Sequence, residues 1–313
     1  MKGTRLMRSA QACHTEDETM TTQQAKTRAP LKLHAAFSGA AAELLQSDVD
    51  IMGRSLEPVV MLYEGDITPD RAGSAGGKWD GTARLLSWDW MTLVQNVRRV
   101  VPDVNYAGWI CVNVETVEES LNPTTLAAMK DIIATICNER PRAKVGWYGH
   151  PRRFIWPHLN GDKGGNVDRY CELFQTMGWL EALTPHHYPV GELVQTRGEL
   201  LKDRHTYLQE DMALAIARQV SLVNLLANDR KNGRPVLWFV TPFVCRPGDP
   251  EGDYTCNLLS KESFGAWVKA MREAGVTDLA IWMHATPGDA GQLERVRKAL
   301  VEVVFEGVEG TGH

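Results

Sequence analysis

The stretch Tyr106-Ala-Gly-Trp-Ile-Cys-Val-Asn-Val-Glu115 decides how the rest of the chain is read. It is a short apolar run rich in aromatic and β-branched residues, the character of a strand buried on both faces. Such strands belong to parallel sheets covered by helices. Its last residues turn polar. Asn113 and Glu115 stand two apart, so on a strand their side chains share one face. A buried amide and carboxylate there are unfavourable unless paired or used.

Six further segments have the same character: Leu31 to Phe37, Pro58 to Asp66, Ala143 to Pro151, Glu181 to Pro189, Arg234 to Phe243 and Thr277 to Ala285. Between them, apolar residues at helical spacing predict helices over 91–102, 123–141, 167–180, 210–230, 261–275 and 292–305. Trp88-Asp89-Trp90 reads as a helix start with Asp89 near the first turn, or as a sugar contact, and Gly275 reads as a left-handed cap. Strand–helix alternation implies parallel strands joined by crossover helices. The fold class expected is therefore α/β, a TIM-like barrel over residues 31–306 with about seven strands. Residues 1–30 read as a disordered tail and 307–313 as a short C-terminal tail.

Composition bounds the function. The 313 residues carry a formal net charge of −5, without the clustered basic face of a nucleic-acid binder. No run is long and apolar enough to span a membrane, and the N-terminus lacks an apolar signal core, which points by default to the cytoplasm. No GxGxxG or GxxxxGK[ST] sequence is present, and the glycines between Gly73 and Gly77 follow no strand–helix boundary, which disfavours nucleotide-binding folds. No G-x-S-x-G elbow is present, which disfavours acyl transfer. The six cysteines form no CxxC pair. Cys111, Cys137 and Cys171 read as buried thiols, while Cys245 and Cys256 flank a loop they could close as a disulfide. No cofactor is expected. Ten tryptophans are an excess that suits either a core or flat sugar-binding faces.

In parallel barrels the chemistry is built where strands end. The polar residues at those ends are Tyr63, Glu64, Asp66, Asn113, Glu115, Tyr148 and His150, followed by His186, His187, Tyr188, Thr241, Trp282 and His284. Several motifs among them resemble the hyaluronidase-type glycoside hydrolases. Val112-Asn113-Val114-Glu115 stands where that family's third strand ends in apolar-Asp-x-Glu. Gly146-Trp147-Tyr148-Gly149-His150-Pro151 matches its G-aromatic-Tyr-x-x-Pro, Pro185-His186-His187-Tyr188 its Pro-x-x-Tyr, and Ile281-Trp282 its last strand end. The likeness spans most of residues 58 to 285. Two positions depart: Asn113 replaces the family's Asp, and Thr241-Pro242 stands where Thr-Arg is the pattern. An Asn-x-Glu pair does occur in endo-β-N-acetylglucosaminidases.

The resemblance implies a seven-stranded barrel and acid-catalysed, substrate-assisted cleavage of a glycan containing N-acetylhexosamine. Glu115 would protonate the leaving oxygen and later activate water. Asn113 would hold the 2-acetamido group as it attacks the anomeric carbon. Tyr148 and Tyr188 would hydrogen-bond the reacting sugar, and Trp282 would floor the subsite. If the substrate lacks an acetamido group, retention needs a second carboxylate about 5 Å away, for which Glu64 or Asp66 is available. Each residue also has a structural reading. Glu115 could cap a helix or pair with Arg152, Asn113 could satisfy loop backbone, and the aromatics could be packing. Two rival functions stand beside this one: a carbohydrate-binding barrel without catalysis, and a metal-dependent hydrolase. The second is weakened because His186 and His187, as strand neighbours, face opposite ways and would need His150, His284 or a carboxylate as further ligands.

Overall fold

A computed structural model of the chain describes residues 30–42, 44, 56–68, 85–114, 123–150, 179–186, 209–228, 233–243, 255 and 257–309. The chain divides at Pro30/Leu31, and every strand and helix named below belongs to the second unit, Leu31–His313. Among the described residues six strands form one curled, parallel sheet, with helices between them in sequence. The strands are β1 (Lys32–Gly39), β2 (Glu57–Tyr63), β3 (Trp109–Asn113), β4 (Lys144–Trp147), β5 (Trp238–Val240) and β6 (Asp278–Ala285). Their spatial order is β4-β3-β2-β1-β6-β5. This is an α/β arrangement consistent with a TIM-like barrel. No described helix is long and apolar enough to cross a membrane.

The helices are α1 (Glu64–Ile67), α2 (Trp90–Val100), α3 (Pro123–Glu139), α4 (Gln209–Ala227), α5 (Lys261–Glu273), α6 (Ala290–Lys298) and α7 (Glu306–Glu309). Each longer one forms where apolar residues recur on one stripe. In α3 the buried stripe includes Ala128, Met129, Ile132, Ile133 and Ile136, and in α5 it is Phe264, Trp267, Val268 and Met271. These stripes pack on the outward side chains of the strands as one large core. Fully burying each such side chain contributes roughly 1.5–3 kcal/mol before the entropy of ordering it is subtracted.

Local signals set the helix ends. Asp89 is the N-cap of α2 and accepts the Thr92 N–H at 2.7 Å. Ser260 caps α5 in the same way through the Ser263 N–H at 3.1 Å. Gly275 has φ 101°, and Val276 N–H donates to the Met271 carbonyl while Gly275 N–H donates to that of Arg272. That pair of bonds is a Schellman closure, which requires the left-handed residue. The helix expected over 292–305 is instead α6, a π-helical segment over Ala299–Phe305, and α7, with Val308 still buried.

Two of the departures from the expected strands have a local cause. The second strand stops at Tyr63 because the Asp66 carboxylate accepts the Tyr63 N–H at 3.0 Å and starts α1 there. Glu64 and Asp66 thus lie on a helical turn. The fifth expected strand, Glu181 to Pro189, contributes only bridges among its described residues. Leu183 and His186 pair in parallel with Val236 and Phe239 of the β5 region. Leu183 N–H donates to the Pro235 carbonyl, Leu237 N–H to that of Leu183, and Phe239 N–H to that of Pro185. The missing rung belongs to Pro185, which has no N–H to donate. On its other side this segment reaches β4, where the Thr184 hydroxyl donates to the Trp147 carbonyl at 2.6 Å.

Candidate active site

A second apolar cluster lies on the concave face of the sheet and includes Ala36, Val59, Trp109, Cys111, Tyr148, Phe239 and Ala280. Strand parity carries that face upward to Ser38 on β1, Tyr63 on β2, Asn113 on β3, and Trp282 and His284 on β6. Tyr148 follows β4 and Thr241 follows β5. Among the described residues, Ser38, Tyr63, Asn113, Tyr148, Thr241, Trp282 and His284 therefore lie toward the carboxyl end of the sheet, where parallel barrels do their chemistry.

Asn113 sits centrally in this arc. It pairs in register with Tyr63, and the next residue past β4 in register, Tyr148, donates its N–H to the Val112 carbonyl at 2.8 Å. The Asn113 side chain is 3% exposed, and its amide oxygen has no hydrogen-bond partner among the described residues. Leaving a buried acceptor unsatisfied costs roughly 1–3 kcal/mol. A ligand donor would relieve that cost.

Tyr148 is fixed from two sides. Its ring meets Phe239 edge-on at 4.9 Å between centroids and 89°, and its hydroxyl hydrogen-bonds His186 Nδ1. The two rings of that pair lie 5.3 Å apart at 63°. Across the mouth, the Ser38 hydroxyl and His284 Nδ1 are 2.9 Å apart. Burial lowers the His284 pKa from its ordinary value, which keeps that imidazole neutral at physiological pH. Trp282 packs half-buried against the concave apolar cluster. His150 is buried behind the rim, its Nδ1 3.2 Å from the Tyr148 carbonyl.

The remaining predicted residues divide differently. Glu64 lies half-buried on α1. The Asp66 carboxylate holds the start of α1 and pairs with Arg99 at 3.4 Å, a capping role that the sequence reading missed. Glu115, Tyr188 and His187 lie outside the described residues, as do Arg152, Cys13, Cys171, Cys245 and Cys256. Cys111 and Cys137 are free thiols, and burial pushes Cys111 up to about 12 against a Thr184 hydrogen bond that pulls the other way. Among the described residues no group of three or more His, Cys, Asp or Glu is placed to hold a metal ion.

Sequence reasoning also passed over Ser38, and it placed His186 at a strand end without its Tyr148 partner. Ser38 was recoverable, because it continues the parity of Ala36 along β1. The partnership of His186 was not, because it depends on which element lies beside Tyr148.

The fold has known counterparts. The crystal structure of bee venom hyaluronidase superposes with a TM-score of 0.58 at 13% identity, covering 89% of this chain and 99% of that one. A second structure of the bee enzyme, in complex with a hyaluronic acid tetramer, superposes with a TM-score of 0.53 at 13% identity and covers 89% and 98%. No family model and no curated protein sequence matches the chain. At that identity the likeness establishes a hyaluronidase-like fold.

Proposed function

We propose that this protein is a glycoside hydrolase that cleaves a glycan containing N-acetylhexosamine by acid-catalysed, substrate-assisted hydrolysis. The observation that carries the reading is the buried Asn113 amide oxygen, without a described partner at the mouth of a hyaluronidase-like sheet. Further support comes from the bee enzyme, whose fold accepts a hyaluronic acid tetramer. In this reading the segment around Leu183 and His186 serves as the strand that closes a seven-stranded barrel.

The roles follow from the chemistry. Asn113 holds the 2-acetamido group, whose carbonyl oxygen attacks the anomeric carbon while the bond to the leaving oxygen breaks. Glu115, two residues on, gives its proton to that oxygen and then takes one from the water that opens the cyclic intermediate. Tyr148 and Tyr188 hydrogen-bond the reacting sugar, Tyr63 flanks Asn113, and Trp282 supplies a stacking face. Glu64 and Asp66 are not needed as nucleophile where the substrate's own amide attacks, and their place in this reading is with Tyr63 in substrate binding. A neutral amide at position 113 stabilises a developing positive charge less than a carboxylate does. It makes hyaluronan itself a poorer expectation than other N-acetylhexosamine glycans.

The test is hydrolysis of a panel spanning hyaluronan, chitin oligosaccharides and N-glycans, read as new reducing ends. Glu115→Gln should lower kcat by roughly 10²–10⁴ while glycan binding persists. A variant as fast as the parent would sink the assignment. A parent that binds glycans and cuts none would favour the second reading, a carbohydrate-binding barrel, for which the neutral amide at position 113 is the specific observation.

A further inference from the structure

The helix start Trp88-Asp89-Trp90 takes no part in the proposed mechanism, and its three residues divide. Trp88 packs on the large core, and Asp89 caps α2 through the Thr92 N–H. Trp90 is 53% exposed. We propose that Trp90 is an outer sugar subsite, its indole face stacking on a pyranose of a glycan that runs from the carboxyl rim over the end of β2. This inference rests on the reading of the rim as a glycan site and extends it to the length of chain that the protein grips.

The exposure of Trp90 falls on the side of α2 where burial is the rule. The buried residues of that helix are Leu93, Val94 and Val97. Position 90 lies three, four and seven residues before them, so it belongs to the same core-facing stripe. It stays uncovered because it is the first residue of the helix. A helix that follows a parallel strand begins at the carboxyl end of the sheet, and its side chains lean toward its own N-terminus. Both effects carry the indole past the strand ends, on the side that faces inward. Three hydrogen bonds tie this turn to the rim. Asp89 N–H donates to the Ile67 carbonyl at 2.9 Å, the Asn96 side-chain amide donates to the Asp66 carbonyl at 3.0 Å, and the Asp66 carboxylate accepts the Tyr63 N–H at 3.0 Å. Tyr63 ends β2 on the concave face. One helical turn, one backbone hydrogen bond and one Cα step therefore separate it from Trp90, about 15 Å of backbone at most. A short oligosaccharide spans that reach. A pyranose also suits the surface, since its C–H face meets the negative face of the indole while its hydroxyls remain in water. A protein partner would bury a broader apolar area that includes Met91, also 53% exposed and on another side of the helix.

The experiment titrates disaccharides and hexasaccharides of the chitin and hyaluronan series into the full chain, its Trp90→Ala and Trp90→Tyr variants, and Met91→Ala, by calorimetry. Trp90→Ala should bind the better hexasaccharide about tenfold more weakly than the parent and the disaccharide within about twofold, because only the longer chain reaches the indole. Trp90→Tyr keeps an aromatic face and should recover most of the loss, and Met91→Ala should bind as the parent does. In turnover the loss should appear in KM, with kcat changed less than about twofold. If Trp90→Ala fails to fold, iodide quenching of tryptophan fluorescence decides: bound hexasaccharide should shield one indole in the parent that Trp90→Tyr lacks. Parent-like hexasaccharide affinity in a folded Trp90→Ala overturns the subsite, as does equal shielding in the parent and Trp90→Tyr. Equal losses from Trp90→Ala and Met91→Ala, or a parent dimer that either variant dissolves, overturn it in favour of a protein-docking face. A parent that binds hexasaccharide and cuts none overturns the hydrolysis alone, and a parent that binds no glycan overturns both.

Discussion

Gly146 and Thr184 offer the sharpest test of how β4 meets the segment that follows it in space. A Cβ built on Gly146 would lie 2.5 Å from Thr184 Cγ2, 2.9 Å from its Oγ1 and 3.3 Å from its Cβ. Real Cβ atoms do not approach other carbons so closely, so Gly146→Ala must displace Thr184. That side chain is 0% exposed, and its hydroxyl is tied to the Trp147 carbonyl at 2.6 Å. Overpacking of this kind costs roughly 1–3 kcal/mol, and loosening one buried hydrogen bond adds about 1 kcal/mol. The alanine returns about 0.4–1 kcal/mol by restricting the unfolded chain. The net expectation is a loss of about 2–3 kcal/mol in urea or guanidinium denaturation. Thr184→Ser removes the nearest clashing methyl and keeps the hydroxyl, at a cost of about 1 kcal/mol on its own. Because the hydroxyl oxygen stays 2.9 Å from the new Cβ, the double variant should recover only part of the Gly146→Ala loss, a coupling of about 1 kcal/mol. Additive losses, or a Gly146→Ala protein as stable as the parent, would show that β4 and Thr184 are not in contact in solution.

The other predictions are shorter. Burial holds the folded His284 pKa below its ordinary value of 6.5, so below about pH 6.5 the unfolded chain takes up a proton that the folded chain resists. Stability should fall as the pH drops from there through the folded pKa, and His284→Gln should flatten that limb; parallel pH profiles for parent and variant would refute this. Cys111, pushed up to about 12, should resist disulfide reagents at pH 8 and react only as fast as the protein unfolds; burst labelling of the native state would contradict its burial. Ser260→Ala removes the cap of α5 and should lower stability by about 1 kcal/mol in chemical denaturation, with Ser260→Asp restoring it.

Much of this architecture was legible because parallel strands buried on both faces leave an unmistakable apolar run, and because Asp89, Ser260 and Gly275 mark helix ends by chemistry local to them. What escaped was decided by contacts distant in sequence. Pro58 to Asp66 reads as one strand, yet Asp66 folds back on Tyr63 and takes Glu64 with it into α1. Glu181 to Pro189 reads as a strand, and Pro185 denies it the rung that regular pairing needs. His186 reads as a strand-end polar residue facing away from His187, and nothing in sequence says that Tyr148 lies beside it. His34, inside the apolar run of the first strand, gave no sign of its charged neighbours at all.

Those neighbours separate the two ends of the sheet. At the amino end His34 is 1% exposed, with Nε2 3.1 Å from the Asp278 carboxylate and Nδ1 3.5 Å from that of Glu57. The Thr277 hydroxyl adds a bond to Asp278 at 2.9 Å, and the Lys144 ammonium stands 5.1 Å above the Trp109 ring. Burial alone would push the Asp278 carboxyl up, but the hydrogen bonds from His34 and Thr277 and the charges of His34 and Lys144 bring it below its ordinary value. The His34 imidazole, Asp278 and Thr277 answer one another here, while Glu57 on the other side of His34 is largely exposed. At the carboxyl end Asn113 brings a neutral amide whose oxygen has no described partner, and His284 an imidazole that burial keeps neutral at physiological pH. A neutral acceptor of that kind suits a neutral, hydroxyl- and amide-bearing ligand better than a metal ion or a phosphate, which would call for fixed opposite charge. That much is independent of any resemblance: Asn113 offers a neutral, buried acceptor at the carboxyl end of the sheet.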